Sequence, residues 1–180
     1  MIAGVPHIQT SRLDLRPLTA ADAEPAFADA SDPGLYHYLQ QPPPASLADL
    51  RALYARWGGG SLDPRVIWLN WIAVERSSKE RVGMLQATID VSARRATIGY
   101  SIFARFQGRR FAREAVQGVL ARLKARDDID RAVAEISEPN RFSRAVVESL
   151  GFLLTGRIAG TGREAGRICD DVVYTRELRP

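Results

Sequence analysis

The 180-residue chain has few of the residues that form disulfide bonds or bind metal ions in small proteins. It contains one cysteine, Cys169, and two histidines, His7 and His37. One cysteine cannot close an internal disulfide bond, which excludes a disulfide-stapled secreted scaffold. Neither histidine has a partner at the spacing of a metal site, so the sequence predicts no bound metal.

The sequence also has no long hydrophobic run. None of its apolar stretches reaches the roughly 18 uninterrupted residues of a membrane span. Residues 1–7 lack both the basic segment and the apolar core of a signal peptide. We therefore expect a cytoplasmic protein with no membrane partner.

The composition suits a folded domain. Hydrophobic residues make up 46% of the chain, which is too many for a disordered protein. A chain of this length can bury a substantial core within one domain. We therefore expect residues 1–180 to form a single domain.

Positive charge is concentrated in one segment. The chain carries 25 basic and 21 acidic side chains, which give a net charge of +4. Residues 94–126 hold nine basic residues and only one acidic residue, Glu114, whereas the segments on either side each have a small excess of acids. This placement predicts a local site for an anionic ligand. A nucleic-acid-binding protein would instead spread basic residues along a face, with aromatic residues between them.

The hydrophobic pattern predicts strands and helices in one domain. Thr19 with Asp22, and Ser46 with Asp49, are typical of capping boxes that begin helices. The expected order is strand, two helices, three strands, helix, strand, helix and two strands. This order indicates an α/β domain whose mixed central sheet of about seven strands is flanked by about four helices. The strands expected after the first cover residues 66–74, 82–91, 96–103, 132–136, 152–158 and 168–175.

A strand–turn–helix segment at residues 98–115 carries the most chemical information. Its strand leads into a basic, glycine-containing turn that opens directly onto a helix. Backbone N–H groups at a helix N-terminus are unpaired and the helix dipole is positive there, so phosphate groups bind well. A solvent-facing basic helix cap would have the same pattern, and these residues alone leave both interpretations open. The arginines expected around a phosphate are Arg105, Arg109, Arg110 and Arg113.

Two motifs resemble those of one enzyme family. Residues 107–112 (QGRRFA) are similar to the acyl-CoA signature of the GNAT acetyltransferases, which reads Gln or Arg, two residues, Gly, one residue, and Gly or Ala. Residues 138–143 (EPNRFS) and 147–152 (VESLGF) resemble two elements of the branch that acetylates ribosomal-protein N-termini and related amines. Residues 11–18 (SRLDLRPL) and 31–33 (SDP) also resemble that branch.

The resemblance implies an N-acetyltransferase that uses acetyl-CoA as its co-substrate. In this family, acetyl-CoA lies between two strands that splay apart, and a primary amine attacks the thioester directly. By position, the catalytic residues would be Tyr100, whose backbone polarises the acetyl carbonyl, and Ser143, whose hydroxyl protonates the CoA thiolate. A serine at this place is also a preferred helix N-cap. The residues expected to bind acetyl-CoA are Ile102, Gln107, Gly108, Arg109, Arg110, Phe111, Ala112, Arg113 and Asn140.

Two departures from the family pattern affect these expectations. Arg110 stands where the family usually has glycine, and it would be strained if the turn needed a positive φ there. We expect an unstrained turn in which Arg110 contacts a phosphate directly. Relatives often carry a glutamate shortly before Tyr100, where this chain has Ala96 and Thr97, so no general base is assigned. The remaining candidates are Glu138, Asp90, Glu75 and His37, with a water relay as the other route.

Three classes of function follow, led by the N-acetyltransferase. Its acceptor would be a protein N-terminus or a small-molecule amine, selected by the first two helices, by residues 36–38 between them and by a late loop over residues 160–166. A CoA-binding domain without turnover is the alternative raised by Arg110 and the missing glutamate. A basic nucleic-acid-binding protein is the least favoured, so we expect no nucleic-acid partner. Dimers are common among relatives, which makes a homodimer one expectation.

Overall fold

Eight strands form one mixed sheet in the computed structural model, which describes residues 4–179. The α/β class predicted from the sequence is confirmed, with one strand more than expected. The additional strand, β1, has only two residues, and so short a segment leaves no alternating pattern to detect. The strands are β1 (Ile8–Gln9), β2 (Leu13–Pro17), β3 (Val66–Glu75), β4 (Arg81–Asp90), β5 (Arg95–Ile102), β6 (Arg131–Ser137), β7 (Leu153–Glu164) and β8 (Arg167–Glu177).

Four helices complete the described part of the chain. The two helix starts predicted from capping residues are confirmed. Ser46 Oγ accepts a hydrogen bond from Asp49 N at 3.1 Å, and Asp22 Oδ2 accepts one from Thr19 N at 3.1 Å in a 3-10 turn that leads into the first helix. The helices are α1 (Ala23–Ala30), α2 (Leu47–Gly58), α3 (Phe111–Lys124) and α4 (Arg141–Ser149).

The sheet contains one parallel contact. Its strand order is β1-β2-β3-β4-β5-β6-β8-β7, and adjacent strands are antiparallel except for β5 and β6, which α3 connects as a crossover. The parallel pairing covers only residues 95–97 of β5 and 131–133 of β6. Beyond these residues the two strands are not paired, so the sheet opens there into a gap.

The helices cover opposite faces of the sheet. Gly118 of α3 lies against the side chain of Leu15, and Leu15 pairs with Ala73. On the other face, Asn70 Nδ2 donates to Trp57 O of α2 at 2.9 Å. Side chains alternate between faces along a strand, and directly paired residues share a face. Each side chain at the gap can therefore be assigned to the α3 side or the α2 side.

The loop predicted over residues 160–166 is wrong, because β7 and β8 form a paired hairpin that extends through most of it. Only Ala165 and Gly166, both at positive φ, make the turn. β7 also contains a bulge at residues 159–161, where three residues lie opposite one residue of β8. Gly160 has a φ of 71° in this bulge. Gly160 and Gly166 suit this bulge and this tight turn, since glycine tolerates a positive φ.

Candidate functional site

Backbone groups of β5 face the gap between β5 and β6. Phe103 N donates back to Val82 O of β4 at 3.0 Å. Successive residues of a strand turn their N–H and C=O groups to opposite sides, so Ile102 and Tyr100 turn theirs into the gap. The Ile102 carbonyl accepts a hydrogen bond from Gln107 Nε2 at 2.9 Å. The free edge of β5 is therefore centred on Tyr100.

The gap opens into a cleft of about 730 Å³. The walls of the cleft include Tyr100 and Ser143 from the α3 side of the sheet, and Asn70 and Trp57 from the α2 side. A cleft of this size is typical of small-molecule and cofactor sites. A ligand in it can touch residues from both faces of the sheet.

Tyr100 and Ser143 form a pair of hydroxyl groups on the α3 side. Tyr100 Oη lies 2.8 Å from Ser143 Oγ and donates to Ser143 O at 3.0 Å. Asn140 is the N-cap of α4, and its Oδ1 accepts a hydrogen bond from Ser143 N at 3.1 Å. The alternative in which Ser143 itself caps the helix is therefore wrong. Its hydroxyl remains at the cleft.

The environment of Tyr100 keeps its phenol protonated. Burial raises the pKa of Tyr100 to about 12, although the hydrogen bond with Ser143 opposes this shift in part. A phenol with such a pKa carries its proton throughout the neutral range. The hydroxyl pair can therefore supply a proton to a leaving group that departs on the α3 side.

The turn before α3 holds Arg110 in the left-handed region of backbone conformation, with φ 64° and ψ 17°. The expectation of an unstrained turn is therefore wrong, and the position suits the glycine that the family usually has. Gly108 also has a positive φ, 76°, with open space beside it. The first helical hydrogen bond runs from Glu114 N to Arg110 O. The N–H groups of residues 111–113 precede it and can bind an anion.

Two of the four arginines predicted around this anion site are paired with carboxylates instead. Arg105 donates to Asp29 at 2.8 Å and to Glu80 at 2.5 Å. Arg109 donates to Glu75 at 2.5 Å. These carboxylates come from α1 and from the β3–β4 region, far away in sequence, so the local pattern gives no sign of them.

Arg110 and Arg113 are the other two arginines, and both are exposed. Neither guanidinium makes a hydrogen bond or an ion pair with any residue in the range 4–179. Ile102 and Phe111 are buried in the core, and Ala112 packs against it, so these three predicted residues offer only backbone groups. The free cations of the site are therefore Arg110 and Arg113.

The four predicted candidates for a general base are engaged or remote. Glu75 and Glu138 are in ion pairs with arginines. Asp90, the last residue of β4, accepts a hydrogen bond from Ser92. His37 is exposed and makes an edge contact with a neighbouring ring. None of the four lines the cleft.

Sequence reasoning missed two carboxylates that do line the cleft, Glu135 of β6 and Asp171 of β8. Asp171 Oδ1 accepts a hydrogen bond from Ser137 Oγ at 3.2 Å, and Glu135 has no hydrogen-bond partner among the described side chains. The sequence did contain a signal for Glu135, because side chains alternate between the two faces of a strand. Glu135 and Ser137 are two residues apart, so they share a face, and the rest of the strand from 132 to 136 is apolar. Ala132 pairs with Ala96, which is on the same face of β5 as Tyr100. Glu135 and Ser137 alternate with Ala132 and Ala134 along β6, so they lie on the opposite face.

Three further sequence expectations concern membrane helices, metal ions and the single cysteine. Across residues 4–179, no helix is long and apolar enough to cross a membrane. The same residues contain no cluster of three or more histidine, cysteine or acidic side chains that could hold a metal ion. Burial raises the pKa of Cys169, which is half-buried in β8, so its thiol is not activated as a nucleophile.

Comparisons with known proteins agree with this geometry. A family model described as an acetyltransferase (GNAT) domain matches residues 12–153. The chain is 26% identical to the uncharacterized N-acetyltransferase p20 of Bacillus licheniformis, over 93% of this chain and 94% of that protein. Its fold is similar to that of a GNAT-family acetyltransferase from Bacillus anthracis, with a TM-score of 0.82 and 18% identity over 96% of this chain and 99% of that one.

A second solved structure with the same fold is RimL, a ribosomal L7/L12 α-N-protein acetyltransferase in complex with coenzyme A. Its TM-score is 0.80, with 22% identity over 96% of this chain and 98% of that one. The family match at residues 12–153 includes β5, β6 and α4, and thus both walls of the gap. This chain therefore belongs to the GNAT acetyltransferase family.

Proposed function

We propose that the protein transfers an acetyl group from acetyl-CoA directly to the nitrogen of a primary amine. The observation that carries this proposal is the gap between β5 and β6, which opens towards both faces of the sheet. The hydroxyls of Tyr100 and Ser143 lie on one face, and the carboxylate of Glu135 lies on the other. This arrangement puts a proton donor and a proton acceptor on opposite sides of a reacting group.

Acetyl-CoA fits the backbone and charge around the gap. Its pantetheine arm would lie along the free edge of β5 at Tyr100, and its pyrophosphate would accept hydrogen bonds from N–H groups of residues 107–113. Arg110 and Arg113 supply unpaired positive charge beside that position. Asn140 Oδ1 caps α4, which leaves the Asn140 Nδ2 group for the arm.

Glu135 is the general base in this proposal. It accepts a proton from the acceptor ammonium group, and the freed nitrogen attacks the carbonyl carbon of the thioester. A new C–N bond forms while the backbone N–H of Tyr100 stabilises the negative charge on the carbonyl oxygen. The C–S bond then breaks, and the CoA thiolate takes a proton from the hydroxyl pair of Ser143 and Tyr100. The new amide nitrogen loses its extra proton to water, and water returns a proton to the hydroxyl pair. The products are an amide and CoA.

The test combines binding with turnover. Acetyl-CoA binding is measured by calorimetry, and release of free CoA thiol is followed with a panel that contains a serine-initiated hexapeptide, spermidine and alkyl and aryl amines. We expect binding at one site and thiol release that requires an amine. Binding without thiol release for every amine would favour the CoA-binding domain without turnover. Failure to bind acetyl-CoA would contradict both functions.

A pair of variants tests the assigned base. Glu135→Gln should lower kcat by roughly 10²-fold or more, because a positioned general base contributes about 10²–10⁴ in rate. Its affinity for acetyl-CoA should not change. Glu138→Gln is the matched control, since Glu138 does not line the cleft. Equal activity of the two variants would remove Glu135 from the mechanism.

A further inference from the structure

The part of the cleft on the α2 side is walled mainly by aromatic and aliphatic side chains. They come from α2 and from the segment that connects α1 to α2. These side chains include Tyr36, Tyr38, Leu39, Leu53, Tyr54 and Trp57. Surfaces of this kind bind the apolar body of a ligand rather than an extended polar chain. A polyamine or a run of peptide backbone would leave its polar groups unpaired against them.

One polar atom in this wall has no partner. Tyr54 is 1% exposed, and its hydroxyl makes no hydrogen bond with any residue of the described chain. Its ring lies against that of Trp57, with the ring centres 6.2 Å apart. The hydroxyl has less than 1 Å² of accessible surface, so a ligand reaches it only when the side chains around it shift. A buried hydroxyl without a partner is unfavourable, so a ligand that brings a hydrogen-bonding group to it in this way gains affinity. The wall thus points to a ligand that is apolar along its body and polar at one end.

Two carboxylates also line the cleft on this face of the sheet. Ser137 pairs with Asp171 across β6 and β8, and Glu135 pairs with Val173, so the two carboxylates share a face as diagonal neighbours. Diagonal positions on neighbouring strands are about 7–8 Å apart, which leaves room for an ammonium group between them. The guanidinium of Arg163 also lines the cleft, but it donates to carbonyl oxygens of its own hairpin.

The outer side of this region is closed by contacts between the β7–β8 hairpin and the segment that follows α1. Ala165 N donates to His37 O at 2.8 Å, and Gln40 Nε2 donates to Thr161 O at 2.8 Å. We call these two contacts the clasp. The bulge in β7 brings Thr161 to this position. A peptide acceptor that passed between these two segments would have to break the clasp.

We propose that the acceptor is a small arylalkylamine-like molecule: a primary ammonium group held near Glu135 and Asp171, a compact ring or apolar body against Trp57, and a polar group at the far end that pairs with Tyr54. This inference rests on the proposed acetyl transfer for the role of the ammonium group. The shape and chemistry of the site do not depend on that reaction.

The first test uses the wild-type protein in the presence of CoA and four probes: tyramine, 2-phenylethylamine, spermidine and a serine-initiated hexapeptide. Binding is measured by calorimetry and by quenching of tryptophan fluorescence. We expect tyramine to bind at least tenfold more tightly than spermidine and the hexapeptide, with 2-phenylethylamine between. Tighter binding of the hexapeptide or of spermidine would overturn the proposal.

The second test uses Tyr54→Phe, which removes one hydroxyl and keeps the ring. We expect the affinity for tyramine to fall about fivefold to tenfold towards that for 2-phenylethylamine, whose affinity should stay the same. An equal change for both ligands would contradict the assigned role of the Tyr54 hydroxyl. The wild-type comparison remains decisive if this variant does not fold.

Turnover separates this inference from the proposed function. If tyramine binds as expected and no thiol is released, the proposed acetyl transfer is contradicted and the proposed ligand class is supported. If thiol is released with the hexapeptide and not with the aryl amines, acetyl transfer is supported and the proposed ligand class is contradicted.

Discussion

Arg110 holds a backbone conformation that costs an L-residue about 1–2 kcal/mol relative to glycine. It is the residue before α3, and its guanidinium has no partner among the described residues. Strain of this kind persists where the surrounding structure fixes it, and it concentrates at functional sites. The glycine of the family pattern would relieve the strain but would bring no charge to the proposed phosphate site.

Arg110→Gly should therefore separate stability from binding. We expect the free energy of unfolding to rise by up to about 1 kcal/mol, because glycine tolerates the left-handed conformation. The affinity for acetyl-CoA should fall severalfold through the lost cation. Urea denaturation and calorimetry measure the two effects. Ala165→Gly is the matched control, since Ala165 also has a positive φ, in the β7–β8 turn.

The control should gain stability and keep the affinity for acetyl-CoA unchanged. Tighter binding of acetyl-CoA by Arg110→Gly would show that the arginine hinders the cofactor rather than holding it.

Ser143 and Tyr100 allow a second prediction for single residues. Ser143→Ala should lower kcat by roughly 10²-fold without changing acetyl-CoA affinity, because a proton donor acts on the leaving thiolate only in the transition state. Since the pKa of Tyr100 is raised to about 12, kcat should show no alkaline decline up to pH 10. Ser149→Ala, on the same helix, is the control, and its side chain hydrogen-bonds only to Val146 O. An equal loss in this control would remove the proton-transfer role.

At the scale of elements, the turn between β5 and α3 is fixed by an ion pair to β3. Glu75 is 7% exposed, and its two oxygens accept hydrogen bonds from Arg109 and from Ser78. The guanidinium of Arg109 also lies 4.6 Å from the centre of the Phe111 ring, at the first residue of α3. The arginine therefore joins the start of α3 to the end of β3.

Arg109→Ala should accordingly destabilise the fold. We expect a loss of about 1–3 kcal/mol in the free energy of unfolding, because the Glu75 carboxylate stays buried with one hydrogen bond fewer. Arg105→Ala should cost less than about 1 kcal/mol, since its ion pairs are half-exposed. Denaturant unfolding of the two variants under one set of conditions makes the comparison. Similar losses for both would argue against Arg109 as the anchor of the turn.

Local sequence patterns predicted some of these helices and strands and missed others. The amphipathic stripe of α3 and the capping residues Ser46 and Asp49 were sufficient to place two helices, since both depend on neighbours three or four residues away. β1 was missed because two residues carry no period. The two strands of the β7–β8 hairpin were predicted, but residues 160–166 between them were predicted as a loop although most of them are paired, around a bulge and a two-residue turn.

At the scale of the whole molecule, folding redistributes the charge that the sequence concentrates in residues 94–126. Four of the nine basic residues there are paired with carboxylates in the described structure: Arg94, Arg105, Arg109 and Arg126. Two of these pairings, those of Arg105 and Arg109, reach carboxylates far from that segment in sequence. At the proposed phosphate site, the unpaired positive charge is therefore smaller than the charge count indicates, and it lies on Arg110 and Arg113.

Buried tyrosines give the whole molecule a predictable response to alkaline pH. Burial raises the pKa of Tyr36, Tyr54, Tyr100 and Tyr174 above the ordinary value of 10. Between about pH 10 and 12 the unfolded chain loses phenol protons that the folded chain keeps, so stability should fall as pH rises through this window. Thermal unfolding followed by circular dichroism from pH 8 to 11.5 measures the slope.

Tyr54→Phe should make that slope shallower, because it removes one of the shifted groups. Stability that is independent of pH up to 11.5 in the wild-type protein would contradict the burial of these phenols.

The sequence by itself determined the α/β class, most element positions and the family, because each depends on short-range periodicity or on motifs that lie close together in the chain. It also predicted an anion-binding turn before α3 and the Asn140 and Ser143 pair. Only the tertiary structure decided which groups are free to act. These features depend on contacts between segments distant in sequence, which exist only after the sheet and helices have packed. They are the ion pairs of Arg105 and Arg109, the left-handed backbone of Arg110, the cleft positions of Glu135 and Asp171, and the unpartnered Tyr54 hydroxyl.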